Sequence, residues 1–306
     1  MPTPKDWISA MRLRTLPLAA SSAIAGAASA FNYGTFSWLT FALILLTTLF
    51  LQILSNLAND LGDAIKGTDD ENRLGPVRGI QSGAISKTEM KRMTILFAVV
   101  SFLLGLATIY SAFETINWQT LLFVIIGIAA IAAAMKYTLG KNPYGYSGLG
   151  DLFVFVFFGL VGVVGTDYLL SGTFHWSALL PAYTVGVFSA AVLNLNNLRD
   201  HKNDKLHGKN TIVVKLGLEK AKGFHFFLIV SGMTSLAVFL YLSPIVMWFA
   251  LLVFLIPTVL GKHLNKVKHT KNEQLLDPEL KKVALTTFGT FLVLFIFQLI
   301  SAYEVF

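Results

Sequence analysis

Apolar runs of roughly 18 to 22 residues recur along the whole chain, each long enough for an α-helix to cross a hydrocarbon core of ~30 Å. No other feature narrows the fold so far, because in a bilayer every backbone N–H and C=O must be paired inside its own helix or within a closed barrel. The alternating pattern of barrel strands is absent. The sequence predicts about nine spans, near 16–33, 36–56, 93–112, 118–138, 151–171, 176–196, 223–243, 245–261 and 284–303. The 306 residues are 55% hydrophobic and 13% charged, with a mean hydropathy of +0.65, which is more apolar side chain than a soluble domain of this size buries. The expected fold class is all-α, a polytopic membrane protein with residues 1–306 as one transmembrane domain.

The basic residues test that division. All 24 Lys and Arg fall in the stretches Lys5–Arg14, Lys66–Arg92, Lys136–Lys141, Arg199–Lys222 and Lys262–Lys282, which are alternate connections between spans. The intervening loops near Asn32–Thr35, Phe113–Asn117, Gly172–His175 and Leu242–Pro244 carry none. The positive-inside rule then places the N-terminus in the cytoplasm and the C-terminus outside. The net charge of +7 follows from topology, and nucleic acid needs no place in the account. With no cysteine, disulfides, thiolate catalysis and iron–sulfur ligation are excluded. The six histidines are scattered, without a zinc pattern. The run Leu16–Ala30 ends in Ala28-Ser29-Ala30 like a signal-peptide cleavage site, but its small residues suit tight helix packing.

Two acidic stretches end apolar runs on the same predicted side. Gln52–Gly83 holds Asn56, Asn59, Asp60 and Asp63 at i, i+3, i+4 and i+7, one helical face. Neighbouring carboxylates ~6 Å apart repel by roughly 3 kcal/mol at an effective dielectric of ~20, which a bound cation offsets. A solvated helix end is the alternative. Asn196–Asp200 (NNLRD) echoes Asn59–Asp63 (NDLGD), Asp200 and Asp204 share a face, and Gly67 and Gly208 each precede a threonine. The echo suggests one site built from two halves. Among the residues nearby, Arg73 and Arg78 suit either a phosphate clamp or plain positive-inside charge. Tyr137, i, i+4 from Lys141, suits either an interfacial belt or a phosphate contact. Asp151 is placed to cap a helix or to join the site. Asp167 and Glu114, on the opposite side, are expected to meet water. Arg199 and Lys202 lie inside the second acidic motif, which favours a role for them, whereas His207, Lys209 and Lys215 read better as a solvated basic loop.

Carboxylates and amides without Cys or His suit a hard cation, and Mg²⁺ in particular bridges carboxylates to phosphate oxygens. A membrane site of this kind suggests a diphosphate head in the water layer and a lipid tail in the bilayer, as in a polyprenyl diphosphate. At these residues the chain resembles the UbiA superfamily of intramembrane prenyltransferases: NDLGD and NNLRDHKND are similar to its two aspartate-rich motifs, and Tyr137-x-x-x-Lys141 to its Tyr/Lys motif. RLRTLPLAAS (Arg12–Ser21), NDLGDAIKGTD followed by RLGPVRG, and KYTLGKNPYGYSGLGD resemble the branch that prenylates 1,4-dihydroxy-2-naphthoate, with decarboxylation, in menaquinone biosynthesis. The resemblance implies a bacterial cytoplasmic (inner) membrane enzyme whose helices surround a cavity open to the cytoplasm, with polyprenyl diphosphate, 1,4-dihydroxy-2-naphthoate and membrane lipid as partners. It implies Asp60, Asp63, Asp200 and Asp204 as Mg²⁺ and diphosphate ligands. Asn56, Asn59, Tyr137, Lys141, Asn196 and Arg199 are implied around the diphosphate, where Arg73 and Lys202 are expected from their own positions, while Asp69 suits either the metal or the acceptor and Arg78 the acceptor or the loop. Gly67 departs from the superfamily pattern, which has aspartate there. Sister prenyltransferases using 4-hydroxybenzoate, homogentisate or haem are the nearest alternative. An ion-coupled transporter fits less well, because both acidic pairs lie at one face.

Overall fold

The computed structural model describes residues 2–31, 33, 36–70, 73–243 and 249–304. Asn32, Gly34, Thr35 and Pro244 of the expected turns, and the start of the span expected at 245–261, lie outside the described residues. The helices are α1 (Pro4–Met11), α2 (Leu16–Ala30), α3 (Trp38–Lys66), α4 (Lys87–Phe113), α5 (Trp118–Lys136), α6 (Gly150–Ser171), α7 (Leu179–Leu206), α8 (Ile212–Leu216), α9 (Leu218–Leu242), α10 (Phe249–His269) and α11 (Asp277–Glu304). Each predicted span coincides with one helix, α2–α7 and α9–α11. Among the described residues seven helices are long and apolar enough to cross a membrane. The 15-residue α2 rises only about 22 Å, so a count of nine is approximate.

Local sequence sets the helix ends. The Ser37 hydroxyl accepts the Thr40 N–H at 3.2 Å to start α3, and Ser86 with Glu89 forms a reciprocal capping box on α4. At its other end α3 stops on Gly67, whose φ of 74° is the left-handed conformation that glycine adopts without a Cβ penalty. Gly208, just past α7, has a φ of 66°. The echo between the acidic stretches is carried by two helices, each followed by a left-handed glycine, though Gly67 caps α3 itself while Gly208 stands one residue beyond the α7 cap at His207.

The signal-like composition of α2 belongs to a packing helix. From Leu18 to Ala30 it is buried throughout, against α3, α6, α7 and α11. Its small side chains let backbones approach, and a Cβ on Gly26 would fall 2.4 Å from the Val163 carbonyl of α6. The middle of α6, Phe155–Val164, is π-helical, an irregularity that often accompanies functional cavities. Gly62, between the aspartates of the first motif, faces Thr138, whose Oγ1 would lie 2.3 Å from an added Cβ. Gly62→Ala is expected to push α3 off the turn after α5, at a cost of about 1–3 kcal/mol, read as a lower thermal unfolding midpoint in detergent.

On the side away from the basic loops, Glu114 is exposed as expected, but Asp167 does not meet water. Its side chain is fully buried, with Oδ2 2.9 Å from His175 Nδ1, because a buried carboxylate requires a partner. At the basic end, His225 Nε2 lies 2.8 Å from His263 Nε2, and His263 Nδ1 lies 2.7 Å from Glu279, tying α9, α10 and α11 together.

Candidate active site

Between these helices lies a cavity of about 380 Å³, lined at one end by both acidic motifs and along its length by apolar side chains of α3–α6. Asp63 and Ile44 both face it from α3, and nineteen residues of helix span about 28 Å, close to the hydrocarbon thickness. Farther from the acids the walls include Ile109, Phe123, Ile126, Phe157 and Leu169.

At the polar end the two motifs meet through shared cations. The Lys209 ammonium lies 3.3 Å from Asp63 and 4.0 Å from Asp204. Arg73 lies 3.1 Å from Asp69 through Nε and 3.6 Å from Asp200 through Nη2, and donates to the Pro76 carbonyl three residues on, at 2.8 Å. Asn203 of the second motif donates to the Thr68 carbonyl just beyond the first, at 2.7 Å. The Tyr146 hydroxyl donates to Asp63 Oδ1 at 2.8 Å and lies 2.5 Å from the Thr68 hydroxyl. Burial would lower the Lys209 pKa, but Asp63 and Asp204 outweigh it and hold the amine above an ordinary lysine. Burial, then the nearby charge of Asp63, raises the Asp69 carboxyl. Burial, then Arg78, lowers the Arg73 guanidinium.

The remaining expected residues divide. Asn59, Tyr137 and Asn196 line the cavity. Asn56 also lines it, but its amide donates to the Met11 carbonyl at 2.9 Å and to Thr15 at 3.0 Å, locking the α1–α2 corner onto α3. Arg199 is fully buried behind the site: it donates twice to Asp200, at 3.0 and 2.7 Å, donates to Asn196 at 2.7 Å and pairs with Asp277. Asp60 is set apart, paired with Arg12 and lying 3.4 Å from Arg78, which with Arg12 also faces the cavity. Two residues are not brought in. Lys141 is exposed beyond the end of α5, and Lys202 is 72% exposed and pairs with Glu273 at 3.0 Å, since its position on α7 points it away from the face shared by Asp200 and Asp204. Asp151 sits in the first turn of α6, where the helix dipole favours a carboxylate, and does not line the cavity.

The donor set suits a hard cation. Asn59 Oδ1 and Asp69 Oδ2 are buried acceptors with no hydrogen-bond partner among the described residues, and the oxygens come with neither thiolate nor imidazole. Among the described residues no three acidic or histidine side chains are gathered tightly enough to enclose a metal by themselves.

Residues 19–277 match the UbiA prenyltransferase family. The chain belongs to that family. It is 46% identical over 242 residues to 1,4-dihydroxy-2-naphthoate octaprenyltransferase of Escherichia coli (strain K12), covering 79% of this chain and 78% of the relative. It is 43% identical over 287 residues to the Haemophilus influenzae protein of the same name, covering 92% and 91%. The fold resembles a UbiA homolog from Archaeoglobus fulgidus bound to DMAPP and Mg²⁺, with a TM-score of 0.63 at 15% identity, covering 95% of this chain and 99% of that one. An apo UbiA homolog from Aeropyrum pernix K1 gives 0.62 at 18% identity, covering 93% and 97%.

For this UbiA family member, two side chains at the site escaped the sequence reading and a third was left open. Lys209 looked like one of many loop lysines, yet it is only 6% exposed. The turn at Gly208, which follows the motif as Gly67 does, was the available signal. Tyr146 sits in the glycine-rich Tyr144–Ser147 turn, with nothing in its spacing to mark it. Arg12 suits a helix anchor as well as a site residue by sequence, since it precedes the first span on the same side as the acidic loops. Its backbone φ of 51° is left-handed, a cost of about 1–2 kcal/mol for a non-glycine residue, and from there its guanidinium reaches Asp60.

Proposed function

We propose that this protein transfers a polyprenyl group from polyprenyl diphosphate to 1,4-dihydroxy-2-naphthoate, with loss of the carboxylate as carbon dioxide and release of diphosphate, giving demethylmenaquinol, the reduced form of demethylmenaquinone, in menaquinone biosynthesis. The observation that carries this reading is the convergence of two acidic helix ends on the polar mouth of an apolar cavity about as long as the bilayer core is thick. The names and identities of the bacterial relatives support the acceptor. The positive-inside pattern supports a bacterial cytoplasmic membrane location with the N-terminus and the acidic mouth on the cytoplasmic side.

Asp63, Asp69, Asp200 and Asp204, with Asn59, would hold Mg²⁺, which when bound neutralises the departing diphosphate and promotes cleavage of the allylic C–O bond. The chain's own residues do the rest. Lys209, Arg73 and Tyr137 donate to diphosphate oxygens, Arg199 fixes Asp200 from behind, and Asn196 helps to orient it. The apolar walls align the tail so that its reactive carbon stays at the mouth. Thr68, Asp69 and Arg73, which line the polar mouth, exclude water that would quench the allylic cation. The acceptor ring carbon then bonds to that cation.

Purified protein in lipid nanodiscs, given octaprenyl diphosphate and Mg²⁺, is expected to convert 1,4-dihydroxy-2-naphthoate to the decarboxylated prenyl product, read by mass spectrometry, in preference to 4-hydroxybenzoate. Chelation with EDTA should lower the rate at least ~100-fold and added Mg²⁺ should restore it. No product from the naphthoate, with product from another acceptor, would overturn the assignment.

A further inference from the structure

A second cavity, of about 300 Å³, adjoins the first at its polar end, enclosed by α1, the corner at Arg12–Arg14 and the Pro76–Gly79 loop, with Asp60 among its lining residues. Arg12, Arg14 and Arg78 border both cavities, so the Arg12–Asp60–Arg78 cluster forms the partition between them. Arg12 and Arg78 pair with Asp60, while Arg14 pairs with Asp277 at 3.1 Å, so the lining of this cavity holds three guanidiniums and one carboxylate. Arg78 is only 8% exposed, and its Nε, the Nε of Arg12 and Oδ2 of Asp60 have no hydrogen-bond partner among the described residues. The rest of the lining includes Ile8 and Val77, apolar side chains that are 53% and 65% exposed.

Excess guanidinium, a free acceptor oxygen and exposed apolar walls together suit one class of ligand. Guanidinium forks take a carboxylate in two parallel hydrogen bonds and stack on aromatic faces, apolar walls hold the ring, and the Asp60 oxygen accepts from a ring hydroxyl. We propose that the second cavity is a binding site for a hydroxylated aromatic carboxylate, and that the prenyl acceptor enters through it from the water phase. The donor meanwhile occupies the main cavity, and the reacting atoms meet at the Arg12–Asp60–Arg78 partition. The identity of this ligand as the acceptor rests on the function proposed above; the site itself does not.

The test uses the fluorescence of 1-hydroxy-2-naphthoate titrated onto the full-length protein in nanodiscs. Val77→Trp, which fills the cavity from an exposed position, is expected to raise the Kd for the naphthoate at least ~10-fold while leaving binding of Mg²⁺–pyrophosphate unchanged. Ile8→Glu should weaken naphthoate binding and Ile8→Lys should strengthen it, an opposition that a folding defect would not produce. In turnover, Val77→Trp should raise the acceptor KM and not the donor KM. Naphthoate affinity that none of the three variants changes, or an equal loss for naphthoate and pyrophosphate, overturns the site. Binding that responds as expected in a protein unable to prenylate dihydroxynaphthoate supports the cavity and overturns the proposed acceptor chemistry alone.

Discussion

Asp63→Asn and Asp204→Asn are each expected to lower prenyl transfer at least ~1,000-fold, about 4 kcal/mol of transition-state stabilisation, while the protein still inserts and folds. Asparagine keeps the shape and removes the charge. Both side chains flank the Lys209 ammonium at 3.3 and 4.0 Å, so they act on one shared volume, and the double variant should lose little more than either single one. The variants should also need more Mg²⁺ for half-maximal rate. Initial rates against Mg²⁺ concentration in nanodiscs check both points, and more than a tenth of normal activity in both single variants would contradict the assignment.

Lys209→Met should have the next largest effect, and it is a stability effect as well as a catalytic one. Removing one partner from a buried ionic cluster leaves the others uncompensated, typically at 3–5 kcal/mol. Here Asp63 and Asp204, 5% and 3% exposed, would face each other without the cation between them. The thermal midpoint should fall by about 10 °C, a size consistent with that penalty. Added Mg²⁺ should raise the midpoint of the variant more than that of the unaltered protein, because a divalent cation placed between the carboxylates takes over the lost neutralisation. Lys209→Arg should retain most of the stability and less of the turnover. An unchanged midpoint with more than half of the turnover in Lys209→Met would remove Lys209 from the site.

What could be known from residue order alone was whatever depends on short-range periodicity or on the membrane. The expected apolar runs coincide with helices, and among the described residues seven of these are long and apolar enough to cross a membrane, since a bilayer allows a chain few other ways to pair its backbone. The i, i+4 spacing put Asp200 and Asp204 on one face of α7, and the echo of NDLGD in NNLRD foreshadowed two helix ends of one design. Tertiary structure alone decided which charges meet. Lys209, Lys202 and Lys141 are alike as loop or motif lysines, yet the first is buried between Asp63 and Asp204 while Lys202 is 72% exposed and Lys141 also faces water. Likewise Asp60 and Asp63, three residues apart, line different cavities. A helix fixes the direction of its own side chains to within a turn, but their partners come from loops whose paths depend on how all the helices pack, and no local spacing encodes that.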